Sequence, residues 1–288
     1  MEEMAMVDIE QKKRKELLDW YKDLKAQIAG KGRVIVIDDR NKYKAVDYLN
    51  LDGFYPGYYE SKHKVLFIEK ELKGQGVSNR IDADFNLFSC NNLDETYLFP
   101  ENPRFPLWHK VFYLSYGIEH EGIVPFESIP SSNEIKEECL RQGRFPFAFI
   151  RLSKYTNFRV GYKSDLLTTE MFLEDAELKK RNFLREQLSI LEPDIIVSAG
   201  LLRDGSLGME SLQLVFPRRD FSSRLKRLSA DGVSDVYDFS FEGKNIRFID
   251  LHHFSAIRVG KLMGYELDKT YYYDPVMKAV FGNQEAVE

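Results

Sequence analysis

The sequence predicts an α/β fold built on a mainly parallel sheet. Short apolar runs recur along the chain, at Val34–Ile37, Val65–Ile68, Phe147–Ile150 and Ile195–Ser198. Segments with apolar residues at three- and four-residue spacing separate them, and strands alternating with helices argue for parallel pairing. No internal repeat and no Pro/Ser-rich linker interrupts the pattern. The simplest organisation is an N-terminal helical extension over residues 1–45 and one α/β domain over 46–288.

Each element has its own signal. Residues 9–28 form an amphipathic helix through Leu17, Trp20, Tyr21, Leu24 and Ile28, ended by Gly30 and Gly32. The Val34–Ile37 strand is closed by Asp38-Asp39-Arg40-Asn41. Leu51–Tyr59 is a turn-rich aromatic loop before the buried strand Val65–Ile68. Residues 72–106 carry few periodic signals, and a stretch this long without elements inside a compact domain is either functional or misread. Trp108–Tyr116 reads as a helix, and Ser131-Ser132-Asn133 caps another over 134–142. Residues 168–191 read as one long helix with Phe172, Ala176, Phe183, Leu184, Leu188 and Leu191 on its apolar side and Pro193 past its end. A strand at Ile195–Ser198 leads to Ala199-Gly200 and a short helix. Val233–Phe241 and Asn245–Leu251 alternate around Glu242-Gly243-Lys244 as a hairpin does. A final helix is expected from Ala256 to Met263.

Composition narrows the function classes. The 288 residues include 43% hydrophobic and 14% aromatic ones, enough for a core without disulfides or metal. Two cysteines, Cys90 and Cys139, exclude a disulfide framework and fit a reducing cytoplasm. No apolar run reaches the roughly 18–20 residues of a membrane span, and the charged start is no secretory signal. With 41 basic and 46 acidic residues the net charge is −5, so the whole chain lacks the footprint of an electrostatically driven DNA binder. A local basic groove remains compatible with that balance.

In parallel α/β sheets ligands bind beyond the carboxyl ends of the strands, which directs attention to four places. After Val65–Ile68 come Glu69-Lys70-Glu71-Leu72-Lys73-Gly74, where Glu71 can activate a water or stabilise a developing cation; the alternative is a solvated charged loop. After Phe149-Ile150 come Arg151, Ser153, Lys154 and Asn157, able to hold a phosphate or a base edge, or else the polar face of an alternating strand. His252-His253-Phe254-Ser255 succeeds the last strand; only one of the two histidines can face a given site, and Ser255 can cap the next helix. Adjacent histidines do not chelate readily and no third ligand stands at a zinc-site spacing. The aromatics Phe54, Tyr55, Tyr58, Tyr59, Phe85, Phe88 and Trp108 either stack bases or fill a core. The chain has no G-x-x-x-x-G-K-[ST], H-E-x-x-H or G-x-S-x-G motif.

Taken in order, these segments resemble the uracil-DNA glycosylase superfamily over residues 50–265. Val65-Leu-Phe-Ile-Glu-Lys-Glu-Leu lies where that family has a buried strand entering its water-activating motif, and Glu71 falls on the Asp position of G-Q-D-P-Y. Leu87-Phe88-Ser89 is similar to the segment carrying the base-stacking Phe. Phe149-Ile-Arg-Leu-Ser-Lys154 resembles the strand ending in the base-reading Asn, with Arg151 at the Asn position and Lys154 matching a Lys of several branches. Leu191–Gly200 is similar to the helix–Pro–strand–Gly stretch, and His253-Phe-Ser-Ala256 resembles H-P-S-[AP]. Departures stand at Glu69 and Leu72 (Gly and Pro in the family), at Arg151 and at Phe254 (Pro).

The resemblance implies a three-layer α/β/α sandwich and a protein that hydrolyses the N-glycosidic bond of a base in DNA. Glu71 and His253 would be catalytic, Phe88, Arg151, Lys154 and Ser255 would hold the base or phosphate, and Lys70, Lys73 and Arg258 would meet nucleic acid. No metal or organic cofactor is implied, and the partner is DNA or a nucleobase-containing ligand, with no membrane. Two alternatives remain: a nucleic-acid or nucleobase binder on the same fold with lapsed catalysis, and a small-molecule hydrolase or transferase.

Overall fold

Continuous apolar runs along the middle strands mean burial on both faces, and the structure shows helices covering each. The computed structural model describes residues 2–36, 42–50, 52–70, 72–73, 106–157, 166–202, 213–221, 226–227, 235–254, 256 and 258–282. In chain order, helix α1 (Glu2–Lys31) precedes strands β1 (Val34–Val36), β2 (Lys42–Lys44), β3 (Gly53–Phe54), β4 (Val65–Glu69) and β5 (Leu72–Lys73). Helices α2 (Pro106–Glu119) and α3 (Ser132–Gln142) lead to β6 (Phe147–Arg151) and β7 (Thr156–Asn157). Helices α4 (Leu166–Asp175) and α5 (Phe183–Leu191) lead to β8 (Ile195–Ala199). Strands β9 (Lys226–Arg227), β10 (Asp235–Phe241), β11 (Lys244–Leu251), β12 (Arg258–Val259) and β13 (Leu262–Met263) come next. Helices α6 (Gly264–Asp268) and α7 (Asp274–Phe281) close the described chain.

The main sheet has the order β3-β6-β4-β8-β11-β10-β9. Its four middle strands, β6-β4-β8-β11, run parallel, while β3, β10 and β9 join antiparallel at the edges. Side chains alternate between two cores. Val65, Phe67, Phe147, Phe149, Val197, Ile249 and Leu251 pack against α2, α3 and α7. Leu66, Ile68, Ala148, Ile150, Ile196 and Phe248 pack against α1, α4 and α5. The fold is therefore mixed α/β with a largely parallel central sheet between two helical layers.

Helix α1 packs in one of those layers. Leu17, Trp20, Tyr21, Leu24 and Ile28 are all buried in the core shared with α5. The Trp20 indole donates to the Phe183 carbonyl at 2.7 Å, and the Tyr21 hydroxyl donates to the Leu49 carbonyl at 3.2 Å.

Two expected helices take a different form. The 168–191 segment breaks into α4 and α5, although its six expected apolar residues are all buried. Glu177 takes a left-handed φ of 47°, and Asn182 starts α5 anew by accepting from the Arg185 amide. Across the bend Glu177 pairs with Lys31 and Arg181 with Asp23. The helix expected over 256–263 is replaced by the β12–β13 pair. Gly260 and Gly264 have φ of 59° and 56°, values that interrupt a right-handed helix, and α6 begins only at Gly264. The expected cap of α3 is present: the Ser131 hydroxyl accepts from the Glu134 amide, and the Glu134 carboxylate accepts from the Ser131 amide at 2.8 Å. In the stretch read as lacking elements, β5 pairs in parallel with β7, and residues 74–105 lie outside the described residues. No helix among the described residues is long and apolar enough to cross a membrane.

Because α1 covers one face of the sheet, Leu24→Ala is expected to destabilise the whole protein by about 3 kcal/mol, as a large-to-small core change does. Lys25→Ala, on the exposed side, should change stability by less than about 0.5 kcal/mol. Urea unfolding of the two variants checks this.

Candidate functional site

The chain passes from β4 to β6 on one side and then to β8 on the other side of β4. The strand order thus reverses at β4, the place beyond whose carboxyl end open α/β sheets generally take a ligand. Because the four middle strands are parallel, the residues just past their ends meet on one edge: Lys70, Leu152, Gly200 and His252 with His253.

Glu69 and Arg151 are register partners at the ends of β4 and β6. Their side chains are only 8% and 13% exposed, with Arg151 Nε 3.6 Å from Glu69 Oε2. That separation is an ionic contact too long for a hydrogen bond. Arg151 Nε is buried and has no hydrogen-bond acceptor among the described residues. The guanidinium lies 5.0 Å from the centre of the Phe149 ring, which Trp108 of α2 approaches to 5.2 Å.

Asp52 holds the end of β6 from the opposite face. Its carboxylate accepts from the Arg151 amide at 2.7 Å, Lys154 Nζ at 2.6 Å and Gln187 Nε2 at 3.0 Å. Lys154 is fully buried, also donates to the Arg151 carbonyl at 2.5 Å, and lies 5.8 Å from the Trp20 ring. Burial pushes its ammonium below the ordinary lysine value, while Asp52 pulls it back. Lys154, expected to hold base or phosphate, therefore points into the core and locks the backbone of its neighbour Arg151.

Asp250, also fully buried, shapes the turn after β8. Its carboxylate accepts from the Ser198 hydroxyl at 2.5 Å and from the Leu201 and Leu202 amides at 2.8 and 3.0 Å. Sequence reading missed this residue. Its signal was a lone carboxylate among Phe248, Ile249 and Leu251, the buried end of β11, a place where a charge needs several donors.

The segment after β11 is held from beneath. The His253 carbonyl accepts from the Tyr272 hydroxyl at 3.0 Å and from the Ala256 amide at 2.9 Å. Phe254 is buried, its ring 6.1 Å from Phe67. Lys110 Nζ donates to the Ala256 carbonyl at 3.2 Å and pairs with Asp268 at 3.3 Å. Burial pushes Lys110 down and Asp268 up, each opposed by the other's charge. His252 is half-buried against Tyr271, whereas His253 is exposed, so His253 is the histidine that the edge presents.

The other expected residues are spread more widely. Lys70 is half-buried and its carbonyl accepts from the Ser153 amide at 2.8 Å. Lys73 lies on β5, and Arg258 is exposed on β12, donating to the Gly260 carbonyl at 2.7 Å. Glu71, Phe88 and Ser255 lie outside the described residues. Of the expected aromatics, Phe54, Tyr58 and Trp108 are core. Among the described residues no group of three His, Cys, Asp or Glu side chains is arranged to hold a metal ion.

No family model, no curated protein and no solved structure matches the chain.

The buried charges can be tested by unfolding. Asp52 serves three donors, whereas loss of Lys154 leaves Asp52 with two. Asp52→Ala is therefore expected to cost about 4 kcal/mol and Lys154→Met about 2 kcal/mol in urea unfolding. His109, bonded to the Ser132 hydroxyl, is pushed below its ordinary value by burial, against a smaller pull from Asp268. The unfolded chain then takes up that proton first as pH falls below about 6.5, so this part of the stability is lost on acidification. His109→Gln should show a shallower decline of stability between about pH 7.5 and 5.5.

Proposed function

We propose that the carboxyl edge of the sheet binds a nucleic acid or another nucleobase-containing ligand, on a divergent version of the uracil-DNA glycosylase scaffold. Arg151 carries this reading. It offers a guanidinium N–H without an acceptor among the described residues, beside the Glu69 carboxylate and over an aromatic ring. Donors and an acceptor side by side match the requirements of a base edge. The order of the strands supports the scaffold. Among the described residues, the segments resembling that superfamily fall on or directly after β4, β6, β8 and β11, which are parallel, adjacent and end on one edge.

In the hydrolytic form of this reading the base leaves the stack to reach the edge. His253 would stabilise charge on the departing base and Glu71 would position the water. An ion pair stands where the superfamily has Gly and Asn, which favours a ligand other than uracil. The same ion pair favours a second form, binding without hydrolysis, because Arg only donates where Asn donates and accepts.

Fluorescence anisotropy with labelled single-stranded oligonucleotides tests the binding. Affinity should fall as salt rises, and Arg151→Gln should weaken it by about tenfold or more. Incubation with oligonucleotides carrying damaged bases separates the two forms. Base release that His253→Ala abolishes identifies the hydrolase, and binding without release identifies the binder. Failure of every oligonucleotide and nucleoside to bind, or turnover of a metabolite that DNA does not inhibit, refutes the reading.

A further inference from the structure

We propose that the cavity between α2 and α3 is a second ligand site, built for a small uncharged ring compound bearing a carbonyl or phenolic oxygen. Its volume is about 540 Å³, within the range of roughly 300–1,000 Å³ that small-molecule sites occupy. It lies where β6 begins, at Phe147, whereas Arg151 stands at the other end of that strand, about 13 Å away. The two sites therefore sit on opposite edges of the sheet, and this one is independent of the function proposed above.

Phe112, Ile135 and Phe147 give the cavity an apolar wall, and polar residues, Glu134 and Glu138 among them, complete the lining. Two polar atoms in its walls are buried without a hydrogen-bond partner among the described residues, Ser115 Oγ and Arg144 Nε. Ser115 is only 4% exposed and sits in the interior of α2. A serine in that position ordinarily bonds back to the preceding turn or reaches water, and an unmet buried hydroxyl is costly. One hydroxyl and one N–H without a partner among the described residues, beside the apolar walls of Phe112, Ile135 and Phe147, point to an oxygen acceptor on a flat apolar body.

Charge selects the ligand further. The Arg144 guanidinium is already neutralised by Glu119 at 2.8 Å, so its Nε offers a hydrogen bond and no net charge. Glu134 and Glu138 also line the cavity and disfavour an anion. They are held by Ser131 and Arg141, which leaves them poorly placed to clasp a cation.

Saturation-transfer NMR on the full chain, with para-cresol and toluene as matched probes, tests the site. Para-cresol should bind to the wild type, and Ser115→Ala should weaken it about tenfold while leaving toluene unchanged. Ile135→Trp, which fills the chamber, should abolish both, with circular dichroism confirming that the variant folds; Ile135→Phe serves if it does not. Absence of para-cresol binding up to its solubility, equal affinity in the wild type and Ser115→Ala, or full binding in the folded filled variants would overturn the proposal.

Discussion

The carboxylate of Asp52 is the point on which the arrangement of the site depends. It sits in a loop before the edge strand and gathers donors from the end of β6, from the buried Lys154 and from α5. Lys154 in turn meets the Trp20 ring of α1. One buried ion pair thus joins four parts of the chain that are distant in sequence. Such a pair gives little net stability over an apolar substitute, yet breaking it is severe, and its value lies in geometry. Here the geometry is the exit of Arg151: with its amide and carbonyl both held on one face, its side chain emerges on the other, beside Glu69.

The middle strands were legible because two-sided burial leaves a strong mark. Runs such as Val65-Leu-Phe-Ile and Ile195-Ile-Val-Ser have no polar face, and in the structure β4 and β8 are buried throughout. The hairpin and the α3 cap were legible for local reasons, in the Glu242-Gly243 turn and in Ser131 with Glu134. The break between α4 and α5 was not. Phe172, Ala176, Phe183 and Leu184 keep a helical spacing across it, and the break lies in the left-handed Glu177 and the new cap at Asn182, which periodicity does not register. Gly260 and Gly264 carried the signal against a helix at 256–263, but only as residues whose conformation the backbone later revealed.

For the candidate site, sequence pattern located the strand ends, and the structure gives the surroundings of the side chains there. Strand ends pointed to Arg151 and to the histidine pair, and both stand where the parallel order directs them. The same logic chose Lys154 as a contact, because a lysine after a strand reads as exposed; its carboxylate partner, Asp52, lies over a hundred residues away. Asp250 escaped notice for a related reason: two of its partners are the Leu201 and Leu202 backbone amides, which carry no residue signature, and the third, Ser198, lies 52 residues away.

The grip on the segment after β11 has a consequence for how that position can change over evolutionary time. Tyr272 and Lys110 hold it through carbonyl oxygens, and Phe254 anchors it through a side chain directed away from the edge. None of these contacts reads the imidazole of His253. The path of the chain there is inherited from the residues below, so an exchange at position 253 leaves these three supports in place.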